Sequence, residues 1–189
     1  MESAGDRLKP IRILLADDHT VVRKGLRLLL ESHAGFKVVA DAANGREAVA
    51  LAEEHTPDVV VMDVAMPILN GIEAATQISA KLPQTAIVFL SMHSDEGYVL
   101  KALKAGARAY LLKDSAENDL IGAVEAVSEG KAFFSPAISK MLVEDYVRQM
   151  KERAVEDSYD LLTTREREIL NLHSGAELIL YAIRKGVIS

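Results

Sequence analysis

The chain has 189 residues, no cysteine, and 28 acidic against 22 basic side chains, for a formal net charge of −6. That length allows one or two domains with a real core. The lack of cysteine excludes a disulfide framework and a thiolate metal site, and the negative balance gives no whole-chain signature of nucleic-acid binding.

No apolar run approaches membrane-spanning length. The opening MESAGDRLKP lacks the apolar core of a signal peptide, so a cytoplasmic location and no membrane partner are expected. Short apolar runs then alternate with segments of helical spacing. Ile11–Ala16 reads as a strand, followed by a helix over Val21–Leu30 with Val22, Leu26, Leu29 and Leu30 on its apolar face. Phe36–Ala40 and the helical Gly45–His55 come next, then Val59–Met62 and Ile72–Leu82. Ala86–Leu90 leads into Tyr98–Ala105, and Ala109–Leu112 into Leu120–Val127. The runs are rich in Val, Ile and Leu, as strands buried on both faces are. Five strand–helix units in a row predict a doubly wound α/β fold with a five-stranded parallel sheet and helices on both faces. Ligands of such sheets bind beyond the carboxyl ends of the strands.

From Pro136 the pattern changes. Ile138, Met141, Leu142, Tyr146 and Met150 mark one helical stripe among Glu144, Asp145, Arg148, Lys151, Glu152 and Arg153. This predicts a linker helix with a solvated charged face. From Leu161 onward, Thr163-x-x-Glu166 is a capping-box pattern, and a second helical segment, Ala176–Arg184, ends near Gly186. The expected division is therefore 10–132 for the α/β domain, 133–160 for the linker and 161–189 for a short α-helical remainder.

The chemistry gathers at strand ends. In "ILLADDHT" the first strand runs into Asp17 and Asp18, and in "VVVMDVAMP" the third ends at Asp63. With strand order 2-1-3-4-5 these two strands are neighbours, so three carboxylates converge. Like charges side by side are unfavourable unless a cation sits there, and a hard divalent ion such as Mg²⁺ suits an oxygen cluster of this kind. Taken alone, Asp17 and Asp18 fit equally an N-cap of the following helix, with Asp63 in a turn before Pro67. Ser91 in "VFLSMH" and Lys113 in "AYLLKD" favour the convergent reading, because they add a hydroxyl and an ammonium at two further strand ends. Of the five histidines, His93 is expected nearest the site, as a solvated loop residue, and none is assigned as a metal ligand.

Asp17–Asp18, Asp63 with Met66–Pro67, Ser91 and Lys113 together resemble the receiver domain of two-component response regulators, over about residues 10–130. "GIEA" (Gly71–Ala74) and "AGARAYLLKD" (Ala105–Asp114) further resemble the NarL/FixJ group, whose output is a LuxR-type helix-turn-helix. The resemblance implies that Asp63 accepts a phosphoryl group from a histidine kinase. It implies Mg²⁺ bound directly by Asp18 and Asp63, through water by Asp17, and by the backbone carbonyl of Ala65. It also implies that Ser91 and Lys113 hold phosphoryl oxygens. By sequence Tyr110 is an ordinary half-buried strand aromatic; the resemblance makes it the aromatic that turns inward with Ser91. Asp114 stands where many receivers have proline.

"LTTREREILNL" (Leu162–Leu172) and "AELILYAIRKGVI" (Ala176–Ile188) resemble the first and last helices of a LuxR-type domain. The scaffold and recognition helices that family places between them are missing, through a deletion, a naturally short form or residues absent from the sequence. Specific DNA binding needs a helix in the major groove, so it is expected of full-length relatives and not of this chain as written. A phosphorylation-dependent homodimer remains compatible with the domain and linker. The main alternative is a Mg²⁺-dependent phosphohydrolase with an aspartyl nucleophile. Such enzymes carry a second aspartate two residues on, where this chain has Ala65, and a flavodoxin-like binding loop is disfavoured by Asp-Asp-His.

Overall fold

The computed structural model describes residues 9–92, 95–136 and 138–148. The chain divides into two units, Met1–Ile138 and Ser139–Ser189. All the strands described lie in the first. In chain order it runs β1 (Ile11–Ala16), α1 (Thr20–Glu31), β2 (Phe36–Ala42), α2 (Gly45–His55), β3 (Val59–Asp63), α3 (Gly71–Lys81), β4 (Ala86–Ser91), α4 (Glu96–Lys104) and β5 (Ala107–Leu112). A single 3₁₀ turn, Lys113–Ser115, leads into α5 (Ala116–Ser128), and β6 (Phe133–Phe134) follows. The order across the sheet is β2-β1-β3-β4-β5-β6 and every pair is parallel. The expected 2-1-3-4-5 order is present, and β6 extends the sheet by one strand, pairing Phe133 with Ala109 and Phe134 with Tyr110. A two-residue strand is too short to show a period, so no sequence pattern marked it.

Successive residues of a strand point to opposite faces. Ile13 and Leu15 of β1, Val59 and Val61 of β3, Val88 and Leu90 of β4 and Ala109 and Leu111 of β5 therefore share one face. They pack there with Leu30 of α1 and with Leu120, Ala123, Val124 and Val127 of α5. Leu14, Val60, Met62, Ile87, Phe89 and Tyr110 alternate with them and are buried as well. Strands buried on both faces leave only their ends for chemistry, and the parallel arrangement puts all carboxyl ends on one edge.

Helices α2 and α3 begin alike. Asn44 and Asn70 are N-caps whose side chains accept from Glu47 N and Glu73 N, each at 2.9 Å. Glu47 reaches back in turn, accepting from Ala43 N and from the Asn44 side-chain amide, each at 2.8 Å. The glycine after each cap is required by close approach. A Cβ on Gly45 would lie 2.2 Å from the Leu69 carbonyl oxygen, and one on Gly71 only 2.0 Å from that of Asp63. These contacts pin the loop between β3 and α3 from both sides.

In the second unit, residues 139–148 are helical. Asp145 is buried and ion-paired with Arg148 one turn on, while Val143, Tyr146 and Val147 are exposed. Tyr146 was expected on the apolar stripe and Asp145 on the solvated face. Ile138, Met141 and Leu142 keep the inward face, Asp145 continues it in place of Tyr146, and the pairing with Arg148 offsets its charge. The expected elements beyond residue 148, including both LuxR-like segments, lie outside the described residues, as does His93.

Candidate phospho-acceptor site

Strand register assembles the site. Ala16 of β1 lies opposite Met62 of β3, Asp63 opposite Leu90 of β4, and Ser91 opposite Leu112 of β5. Asp17, Asp63, Ser91 and Lys113 thus fall at or just beyond the carboxyl ends of four adjacent strands. The backbone holds them in place: Asp17 N donates to Ala42 O at 3.1 Å, Val64 N to Leu90 O at 3.2 Å, and Gly71 N to Val64 O at 2.9 Å.

The carboxylates of Asp17 and Asp63 are both buried, and Lys113 Nζ donates to Asp17 Oδ2 at 2.8 Å and to Asp63 Oδ2 at 2.6 Å. Burial alone pushes the Lys113 ammonium down. Its hydrogen bonds to Asp17 and Asp63, with their charges, outweigh that and hold it above the ordinary lysine value. Part of the charge problem posed by adjacent aspartates is therefore solved within the chain. The remaining oxygens are engaged unequally. Asp17 Oδ1 accepts from His19 N at 2.7 Å, and Asp63 Oδ1 from Ala65 N at 3.3 Å. Asp18 Oδ1 is buried and has no hydrogen-bond partner, although His19 Nδ1 lies 2.9 Å away outside hydrogen-bonding geometry.

Three carboxylates against one ammonium leave two formal negative charges in the cluster. Ligand atoms from Asp17, Asp18, His19 and Asp63 all lie within 4.8 Å of one another. The unpartnered Asp18 oxygen and this convergence fit a divalent cation. The capping alternative for Asp17 and Asp18 is not what the fold shows: His19 is the N-cap of α1, with no side-chain capping bond.

Tyr110 is fully buried, deeper than the half-buried strand aromatic its sequence suggests. Its hydroxyl is hydrogen-bonded with Ser91, and its ring tilts against Phe89 with centroids 6.4 Å apart. Burial raises the Tyr110 hydroxyl above the usual tyrosine value, and the bond with Ser91 offsets this in part. No peptide bond among the described residues is cis, Lys113–Asp114 included.

Two features of the site were not foreseen. One is His19, which lies among the carboxylates where the expected neighbour was His93. The other is the loop after Asp63, where Ile68 has φ 70° and Leu69 N bonds Pro67 O at 2.7 Å across it. A β-branched residue in the left-handed region is strained. The repeated Asn-Gly-x-Glu-Ala (Asn44–Ala48 and Asn70–Ala74) was the available signal for the caps and close contacts that brace this loop.

A parallel 2-1-3-4-5 sheet with a lysine-bridged acidic cluster at its carboxyl edge defines a phospho-acceptor signalling domain. The family model for the response regulator receiver domain matches residues 13–125. The chain is 38% identical to the transcriptional regulatory protein DegU of Brevibacillus brevis, over 86% of this chain and 74% of that one. It is 40% identical to the response regulator protein VraR of Staphylococcus aureus, over 86% and 75%. The crystal structure of a LuxR-family two-component response regulator from Aurantimonas sp. is similar with a TM-score of 0.69. That match is 41% identical and covers 74% of this chain and 99% of that one. The chain belongs to the two-component response regulators, and its relatives are NarL/LuxR-type transcriptional regulators. Membership makes it a signalling switch with a kinase partner and not a conventional enzyme. Among the described residues no helix is long and apolar enough to cross a membrane.

Proposed function

We propose that Asp63 is the phosphorylation site and that this cytoplasmic regulator is switched by phosphoryl transfer from its cognate histidine kinase. The observation that carries the reading is the Lys113 ammonium set between Asp63 and Asp17 at the carboxyl edge of the sheet. An Asp63 carboxylate oxygen forms the new P–O bond as the P–N bond of the donor phosphohistidine breaks, and the leaving imidazole retains or takes up a proton. Little further covalent chemistry is asked of the protein, because phosphoryl transfer is governed by positioning and charge. Lys113, already on Asp63, is placed to pair with an equatorial phosphoryl oxygen, and Ser91 to hydrogen-bond another.

Asp18, Asp63 and the Ala65 carbonyl would hold Mg²⁺, with Asp17 acting through water. Bound there, the ion would supply positive charge against that of the donor and acceptor oxygens. Engagement of Ser91 by the phosphoryl group competes with its bond to Tyr110, which couples the site to the buried face under β5. A bistable packing change of this type is how local charge becomes a global signal. The output reading assigns 10–132 to the receiver, 133–160 to the linker and 161–189 to a partial LuxR-type domain, with transcription as the controlled process. Phosphorylation-dependent self-association of the receiver and linker is part of the same proposal. Acetyl phosphate labelling read by intact mass tests the acceptor.

A further inference from the structure

We infer that Arg23 of α1 is a positioning residue for phosphoryl transfer: its guanidinium holds the Asp17 carbonyl, and through Asp17 it sets the Lys113 ammonium against Asp63. The inference rests on the reading of Asp63 as the acceptor. It deepens that reading by naming a side chain that acts through Asp17 rather than on the reacting atoms.

Asp17 lies one residue past the last ladder pairs of β1, which join Ala16 to Ala42 and to Met62. It is buried, and helix α1 begins only at Thr20. Its carbonyl therefore falls between strand and helix, where neither ladder supplies a donor, and a buried carbonyl needs one. The half-buried Arg23 supplies it, with Nη1 donating to Asp17 O across six residues. Every polar atom of Asp17 is then engaged. Its N–H donates to Ala42 O at 3.1 Å, its Oδ1 accepts from His19 N at 2.7 Å, and its Oδ2 accepts from Lys113 Nζ at 2.8 Å.

Arg23 stands where helix formation alone disfavours it. A cation near a helix N-terminus opposes the helix dipole. Helices α2 and α3 carry Glu47 and Glu73 in their first turns, with asparagine side-chain caps before them. Helix α1 has no acidic residue in its first turn and no side-chain cap. The Arg23 backbone N–H closes the first helical bond, to His19 O at 2.9 Å, while its side chain turns back to the strand end. A break of local preference compensated by a bond to a site residue marks a functional constraint. Its consequence is geometric. Lys113 spans Asp17 and Asp63, so the place of Asp17 decides how the ammonium meets the acceptor. With the carbonyl released, the turn carrying Asp17 and Asp18 loses its tie to α1, and Lys113 loses a fixed second partner.

The test uses the whole chain at saturating Mg²⁺. Acetyl phosphate labelling is followed by intact mass, and the Asp17 carbonyl ¹³C resonance by NMR. Arg23→Ala should label about tenfold to a hundredfold more slowly, the scale of loss when a reacting group is misplaced, and its Asp17 carbonyl resonance should move. Arg23→Lys keeps the charge but replaces a planar fork with a point donor. It should label faster than Arg23→Ala and more slowly than the parent, and it carries the comparison if Arg23→Ala does not fold. Guanidinium ion, well below denaturing concentration, should restore most of the Arg23→Ala rate, and potassium at equal ionic strength should not. Labelling of either variant at the parent's rate, an unmoved Asp17 carbonyl resonance, or rescue that is absent or equal with potassium overturns the role of Arg23 and leaves Asp63 as the acceptor. If Asp63→Asn labels as the parent does, the acceptor reading falls and this one with it.

Discussion

Lys113 Nζ lies 2.6 Å from Asp63 Oδ2, so the proposed phosphoryl acceptor is already paired with the cation that would receive the transferred charge. The same nitrogen spans to Asp17, 2.8 Å away, and joins the ends of β1, β3 and β5 through a single ammonium. Removing it leaves the Asp17 and Asp63 carboxylates without the ammonium that bridges them. Lys113→Met should lower stability by about 2–4 kcal/mol in metal-free buffer, because the orphaned acids are largely buried. Added Mg²⁺ should recover more stability in this variant than in the parent. Urea melts with and without Mg²⁺ check both, and an equal Mg²⁺ effect in the two proteins would disconnect Lys113 from the cation site.

Asp18 carries the one buried, unpartnered side-chain oxygen among the described residues. Asp18→Ala should melt at or above the parent temperature in chelator, since a like charge is removed. Saturating Mg²⁺ at about a hundredfold over Kd stabilises a folded site by roughly 2.7 kcal/mol. Most of that gain should be lost in the variant. A full Mg²⁺-induced shift in Asp18→Ala would take Asp18 out of the ligand set.

Gly71 is a packing requirement of the acceptor strand. The Asp63 carbonyl that its Cβ would strike is backbone and has no rotamer to escape into. Gly71→Ala should destabilise by about 1–3 kcal/mol, as overpacking does, and should slow labelling of Asp63 by displacing it. Denaturant unfolding together with labelling rate tests this, and a neutral outcome in both would mean that the β3–α3 junction yields easily.

Tyr110 gives a pH signature. Its folded-state pKa is raised, so above the unfolded value near 10 the unfolded chain loses this proton first and stability falls with rising pH; below it the group contributes no slope. Tyr110→Phe should remove that part of the alkaline slope between about pH 9 and pH 11. It should also cost about 1 kcal/mol at neutral pH through the lost bond with Ser91. Identical pH slopes for parent and variant would contradict a buried, neutral Tyr110 hydroxyl.

The sheet and the acceptor cluster were legible because both follow from short periods. Apolar runs of four to six residues define parallel strands buried on two faces, and the residue at or just after the end of each run lies at the carboxyl edge whatever the loops do. Asp17, Asp63, Ser91 and Lys113 are all such residues. The lysine bridge itself was not legible, since which carboxylates an ammonium reaches depends on strand neighbours and not on spacing. His19 was overlooked because an exposed histidine beside a charged pair is usually only solvated, and its orientation is set by a backbone bond to Asp17. Asp145 was misplaced for a related reason: periodicity counts hydrophobicity and is blind to a partner three residues on. Tyr110 was underestimated because a hydroxyl partner, Ser91, on the neighbouring strand makes full burial of a tyrosine tolerable.

The central claim is that Asp63 is the acceptor, and intact-mass analysis of the chain after incubation with acetyl phosphate and Mg²⁺ tests it most directly. The parent should gain the mass of one phosphoryl group and lose it on exposure to hydroxylamine, as an acyl phosphate does, while Asp63→Asn should gain nothing. Labelling of Asp63→Asn to the extent of the parent would contradict the assignment.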